Sequence, residues 1–158
     1  MLASAIKGAC FGLTSGIITT LGMMVGLSSG TQSKAVVVGG IVSIALADSF
    51  SDALGIHISE ESDKNRSHME VWSSTISTFF SKLIFSSMFI IPVLLLSLNN
   101  AIVVSVIAGL ILLGVLSYFI AKDNNDKPLN VIGEHLFIGI VVVIITHYAG
   151  EWVALVFS

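Results

Sequence analysis

Charge is what this chain most lacks. Only 11% of its 158 residues are Asp, Glu, Lys or Arg, against roughly 25% in an ordinary soluble domain. So few charges cannot cover a water-facing surface, which excludes a soluble globular protein of this length. Cysteine is almost missing as well: Cys10 stands alone, so no intrachain disulfide forms and no redox compartment is implied. Basic residues nowhere cluster with aromatics, which argues against nucleic acid as a partner. No phosphate-binding glycine loop and no nucleophile–base pattern stands in a suitable context. The chain is therefore not expected to be an enzyme, nor to hold a permanently bound cofactor.

What it has is apolar sequence: 54% hydrophobic residues and a mean hydropathy of +0.97. A helix needs about 20 mostly apolar residues to span a bilayer. Five stretches qualify, near 6–28, 35–59, 71–98, 101–121 and 130–157. The polar connectors SSGTQSK (28–34), EESDKNRSHME (60–70), SLNN (97–100) and KDNNDKP (122–128) separate them and leave no room for a second domain. The runs are too long and too continuously apolar for a β-barrel. The first has one lysine ahead of it and no convincing small-residue cleavage site, so it reads as a retained span. The expectation is an all-α, polytopic integral membrane protein, a single transmembrane domain over 1–158 with five spans. Lys7, Lys64, Arg66, Lys122 and Lys127 fall on one side of such a topology and Lys34 alone on the other. That bias places the N-terminus in the cytoplasm and the C-terminus on the extracytoplasmic side.

Ionisable residues inside spans are costly, about 2.5–3.5 kcal/mol or more each at the centre, and mark function by default. Span 2, VVVGGIVSIALADSFSDALGIHIS, carries Asp48 near its middle and Asp52 one turn on. At 100° per residue Asp48, Asp52, Gly55 and Ser59 share a narrow stripe. Two carboxylates on one face suit a hard or borderline divalent cation such as Mn²⁺ or Fe²⁺, with protonation as the competing state. The plainer alternative is that they cap or pair with other helices. Span 1 offers Ser15, Thr19, Gly22, Met23 and Gly26 on one side. Those residues serve close helix packing, or else Thr19 and Met23, with Met24 as a further candidate, add hydroxyl and thioether donors to an ion site. Lys82 in span 3 reaches a depth similar to Asp48, which points to a pair with Asp48 or Asp52 when the site is empty. Otherwise it snorkels to the cytoplasmic headgroups. The Ser/Thr-rich start of span 3 is too polar for lipid all round and is expected to line a wet vestibule or pack against another subunit. His57, Glu60, Glu61, His147 and Glu151 are secondary candidates. His147 and Glu151 share a face at i,i+4, and the acidic 2–3 loop attracts cations or is simply a solvated connector.

The stretch SGIITTLGMMVGLSSGTQSKAVVVGGIVSIALADSFSDALGIHIS resembles the vacuolar iron transporter family of iron/manganese and nodulin-like carriers. The family's first-span signature DG-x-x-TT-x-G-x-x-x-G is matched by Ser15-Gly16-Ile17-Ile18-Thr19-Thr20-Leu21-Gly22, continuing to Gly26. Its second-span ending S-M-x-x-G-E-[YF]-[LIV]-S is matched by Ser51-Asp52-Ala53-Leu54-Gly55-Ile56-His57-Ile58-Ser59. Pro92, Gly139 and His147-Tyr148-Ala149-Gly150 fit the later spans more loosely. The resemblance covers nearly the whole chain, with its specific motifs in spans 1 and 2. It implies five spans, a cytoplasmic N-terminus, a homodimer with the path at its interface, and export of Fe²⁺ or Mn²⁺ from the cytosol against protons. Three positions depart from the pattern: Ser15 replaces the family's Asp, Asp52 its Met, and Ile56 its Glu. The cytoplasmic metal-binding domain carried by some members between spans 2 and 3 is missing. The reading from sequence is thus a proton-coupled divalent-metal transporter, working with lipid, metal ion and protons. The alternative is a non-transporting membrane module or complex subunit whose intramembrane polar residues are structural.

Overall fold

The computed structural model describes residues 1–157; the last position of the expected domain lies outside them. Six helices follow one another: α1 (Leu2–Thr31), α2 (Lys34–Glu61), α3 (His68–Ser87), α4 (Ile90–Leu95), α5 (Leu98–Asp123) and α6 (Pro128–Phe157). No strand occurs among the described residues. Five stretches are long and apolar enough to cross a membrane: α1, α2, α3 together with α4 (His68–Leu95), α5 and α6. The chain is an all-α polytopic membrane protein. Most helix ends overrun their expected limits by one to four residues, because a helix of 26–30 residues is about 39–45 Å long, whereas the hydrocarbon core is only about 30 Å thick; the third span instead stops at Leu95, short of the expected 98, and α6 ends at the expected 157. Polar ends such as Ser59–Glu61 and Lys122–Asp123 continue the helix beyond the apolar stretch.

The third span is broken, not continuous as its apolar run suggests. The helix stops after Ser87 and restarts at Ile90, and Pro92 explains the position. Proline has no N–H for the Met88 carbonyl, and its ring crowds that carbonyl. Leu96 then turns extended, and Lys34 Nζ donates to the carbonyls of Leu94 and Leu96, at 3.1 and 3.0 Å. Ser97, also extended, is the N-cap of α5. Leu98, Asn99 and Asn100 are therefore the first turn of α5, where the sequence suggested a connector ending at 100.

The described chain divides into two compact units. The first comprises Met1–Ile17 and Val42–Met88; the second comprises Ile18–Ile41 and the chain from Phe89 onward. In the first unit α1 meets α3 along glycines. A Cβ on Gly8 would stand 2.2 Å from the Ser74 carbonyl oxygen, and one on Gly12 would stand 2.4 Å from that of Thr78. Only hydrogen fits at either position. The facing residues of α3 recur every fourth position: Ser74, Thr78, Lys82 and Ser86 are all buried. Their hydroxyls are satisfied by backbone: Thr78 Oγ1 donates to the Gly8 carbonyl (3.0 Å), and neighbouring Ser81 Oγ donates to that of Ala9 (2.8 Å). Ser74, Thr78 and Ser81 of the Ser/Thr-rich start of span 3 are thus turned to α1, while Ser73 and Ser77 stay half-buried. Those three form the packing surface for α1, where small side chains let two backbones approach.

In the second unit α5 buries Ala101, Ser105, Gly109, Leu113, Ser117 and Ala121, again one residue per turn. The second half of α1 closes on α6 through glycine: a Cβ on Gly150 would lie 2.2 Å from the Gly26 carbonyl oxygen. Elsewhere α6 is largely exposed, with Gly139 its one fully buried residue. Lipid is the solvent that suits its apolar faces.

Candidate intramembrane ion site

At the heart of the first unit, Lys82 is completely buried. Its ammonium lies 2.5 Å from Asp48 Oδ2 and 2.5 Å from Asp52 Oδ2, and it donates to Ser15 Oγ at 2.8 Å. The lysine turns inward and does not snorkel. It bridges both carboxylates, where one partner was expected. Helix register sets the depth. Ser15 in Leu2–Thr31, Asp48 in Lys34–Glu61 and Lys82 in His68–Leu95 each fall within about two residues, or about 3 Å, of the middle of their span. Three helices thus bring their polar groups to the midpoint, where lipid penalises charge most.

The two carboxylates lie equally close to the ammonium, and its single positive charge leaves one negative charge of the pair unbalanced. Asp48 and Asp52 keep 29% and 20% of their side-chain surface exposed, so both stay reachable from outside the core. The stripe foreseen on α2 ends there: Gly55 and Ser59 are exposed. Among the described residues no three His, Cys, Asp or Glu side chains come together as a metal cage. The site therefore has two carboxylates, a hydroxyl and a tethered cation.

Glu60 belongs to a second ionic cluster in the same unit. It is 3% exposed and pairs with Lys7 and with Arg66 Nε (3.2 Å). Arg66 also reaches Asp63 (3.7 Å) and Ser4 Oγ (3.5 Å). These contacts tie the start of α1, the end of α2 and the 2–3 connector together. Glu61 is exposed. His57 is held by α3: Thr75 Oγ1 gives its one proton to the Val71 carbonyl (2.7 Å), so it accepts from His57 Nδ1–H (2.9 Å). The His57 ring stands edge-on to Trp72 in an apolar groove with Phe50 and Phe79.

In the second unit, Met24 is fully buried core. The Met23 thioether lies over Gly40, and Thr19 is half-buried. Gly22 and Gly26 face Val142 and Thr146 of α6, so that side of α1 serves close packing. His135 Nδ1 bonds Ser117 Oγ (2.7 Å), which itself donates to the Leu113 carbonyl (2.6 Å). His147 Nδ1 lies 2.6 Å from Ser29 Oγ, and its Nε2 lies 3.4 Å from Glu151 Oε1. The sequence showed the His147–Glu151 spacing, but nothing in it signalled Ser29. That partnership follows from the glycine contacts that bring α1 against α6. Arg66 and Lys7 as partners of Glu60 were equally hidden, since they lie in three separate segments.

The sequence model of the VIT family matches residues 56–151 of the chain, more than half its length. No curated protein matches it. The matched stretch runs from the end of α2 through most of α6. It takes in Lys82 and begins just past Asp52, so it falls mainly on the later spans, with the last four residues of the second-span motif (56–59) and none of the first-span motif.

Proposed function

The chain belongs to the VIT family, a family of membrane transporters of iron and manganese, and from that premise we propose that it is a proton-coupled carrier moving Fe²⁺ or Mn²⁺ out of the cytosol. Asp48 and Asp52 are the ion-binding carboxylates. The observation that carries this reading is the Lys82 ammonium held between two carboxylates at the middle of three spans. A position that holds one cation by oxygen donors is suited to another. In the resting state Lys82 fills it. An arriving divalent ion replaces the ammonium, taking Asp48, Asp52 and the Ser15 hydroxyl as ligands with water completing the shell, as suits ions that favour oxygen donors. The N-terminus lies in the cytoplasm, as the Lys/Arg bias supports, and two copies form the working unit.

One observation favours a second reading. Lys82 already neutralises one of the two carboxylates, and no third acidic, His or Cys ligand joins them among the described residues. On that reading the trio is interhelical glue in a non-transporting module. Reconstitution in liposomes with a metal-sensitive dye separates the two. The transport reading expects Mn²⁺ flux in wild type that responds to a pH gradient and is lost in Asp48→Asn and in Asp52→Asn. No flux in wild type under any gradient would leave the structural reading. The same assay on Thr19→Val and Met23→Leu decides whether hydroxyl and thioether also serve the ion.

A further inference from the structure

We propose that His147 and Glu151, oriented by Ser29, form a second divalent-cation site near the C-terminal end of α6. Its geometry is set before any ion arrives. His147 Nε2 and Glu151 Oε1 lie 3.4 Å apart on successive turns. Two metal bonds of about 2.1 Å meeting at 90–110° span about 3.0–3.4 Å, so an ion fits between these atoms with at most a few tenths of an ångström of adjustment. Both side chains are about half exposed, 46% and 50%, which leaves water free to fill the other positions. Trp152 follows directly and is exposed; this residue type favours the membrane–water boundary.

Ser29 makes the pair more than an incidental contact. Its Oγ is 2.6 Å from His147 Nδ1, on the far side of the ring from Glu151. A hydroxyl both donates and accepts. Without metal, Ser29 donates to Nδ1, and Nε2–H points at the carboxylate. With metal, Nε2 gives its lone pair to the ion, the ring proton sits on Nδ1, and Ser29 accepts it. The imidazole changes tautomer and stays neutral: the Nε2 proton leaves to water, Nδ1 takes one from water, the Ser29 hydroxyl keeps its own proton and turns it away, and the heavy atoms stay in place. A partner on the other ring nitrogen is the usual way a metal-ligating histidine is held. The backbone contact of Gly150 with Gly26 fixes α6 against α1 and so holds Ser29 beside His147. An imidazole nitrogen with one carboxylate selects first-row transition ions over Mg²⁺ and Ca²⁺. With only two protein ligands the site is weak, as release of an ion requires. Its role as an exit site rests on the transport reading above, but its existence does not.

The test is Mn²⁺ binding to the purified full-length protein in detergent, counted by EPR, with pulsed EPR reporting nitrogen coordination. Asp48→Asn/Asp52→Asn is expected to retain one Mn²⁺ per chain with a nitrogen signal that millimolar Mg²⁺ does not displace. Adding His147→Gln and Glu151→Gln removes it, while helical circular dichroism stays unchanged. Ser29→Ala weakens this site about tenfold or more. A wild type that binds Mn²⁺ without nitrogen coordination, and loses all of it in Asp48→Asn/Asp52→Asn, overturns the second site and leaves the first standing. Binding that depends on His147 and ignores both aspartates supports the second site and removes the first. No Mn²⁺ binding at all overturns both.

Discussion

Replacing Lys82 by Met removes the one cation from the centre of the first unit and keeps most of its volume. Two carboxylates are then left side by side with no positive partner. Breaking a buried ion pair by deleting one member costs about 3–5 kcal/mol. Lys82 is fully buried, but Asp48 and Asp52 retain 29% and 20% exposure, which places the loss near the lower end, about 3 kcal/mol. At about 2–4 °C per kcal/mol for a chain of this size, the unfolding midpoint falls by about 6–12 °C. Circular dichroism melts in detergent at neutral pH measure it. Two rescues then identify the cause. Adding Asp48→Asn and Asp52→Asn removes the stranded charge and recovers most of the loss. Adding Mn²⁺ at a hundred times its dissociation constant restores about 2.7 kcal/mol, because the ion takes the seat that the ammonium left. A Lys82→Met protein melting within about 2 °C of wild type refutes the electrostatic account of the trio. A large loss reversed by the asparagines but untouched by Mn²⁺ keeps the ion pair and refutes the cation seat.

Gly12→Leu should cost more than about 3 kcal/mol or prevent folding, since its Cβ alone meets the Thr78 carbonyl oxygen at 2.4 Å; gel filtration and melting report it. Gly39→Ala, in an exposed position with nothing within 4 Å, should instead gain up to about 1 kcal/mol from helix propensity, and a loss there would point to an unseen packing partner. Ser105→Ala should raise stability by about 1 kcal/mol, because the Ser105 hydroxyl is buried without a partner. Glu60→Gln should cost about 1.5–3 kcal/mol through its charged hydrogen bonds and speed amide exchange in residues 62–67, while Glu61→Gln, at an exposed position, leaves both unchanged.

The five spans were legible because length and hydropathy alone define a membrane helix, and Asp48, Asp52 and Lys82 stood out because charge is rare there. The break after Ser87 was not read, although Pro92 was in view; an apolar run gives the same hydropathy whether straight or interrupted. The packing role of Ser74 and Thr78 at the start of span 3 was hidden for a related reason. Ser74 and Thr78 look too polar for a buried face until their hydroxyls are seen bonded to backbone carbonyls, theirs or those of α1, a pairing that needs glycines 62–70 residues away. The same gap hid Ser29 beside His147 and Lys7 and Arg66 beside Glu60. Spacing within one helix shows which residues share a face, but not what lies opposite.

The contact between α1 and α3 also bears on why the ionic trio exists. Gly8 and Gly12 against Ser74 and Thr78 already close that interface with backbone-directed hydrogen bonds and need no charge. A buried ion pair adds little to stability over a well-packed apolar set, and replacing one is often neutral or favourable by 1–4 kcal/mol. If Lys82, Asp48 and Asp52 served only to hold the helices, a Met at 82 with Leu at 48 and 52 would fold as well or better. Asp48 and Lys82 stand at the midpoints of their spans and Asp52 one turn on, where insertion is costly, and two carboxylates outnumber the one ammonium. That expense is hard to account for by packing, and it is what a site that trades cations requires: bound tightly enough to keep the charge buried, incompletely enough that another ion can take it. A triple variant, Asp48→Leu/Lys82→Met/Asp52→Leu, that folds with wild-type stability and carries no Mn²⁺ separates the two roles. One that cannot fold would show that the trio is architecture after all.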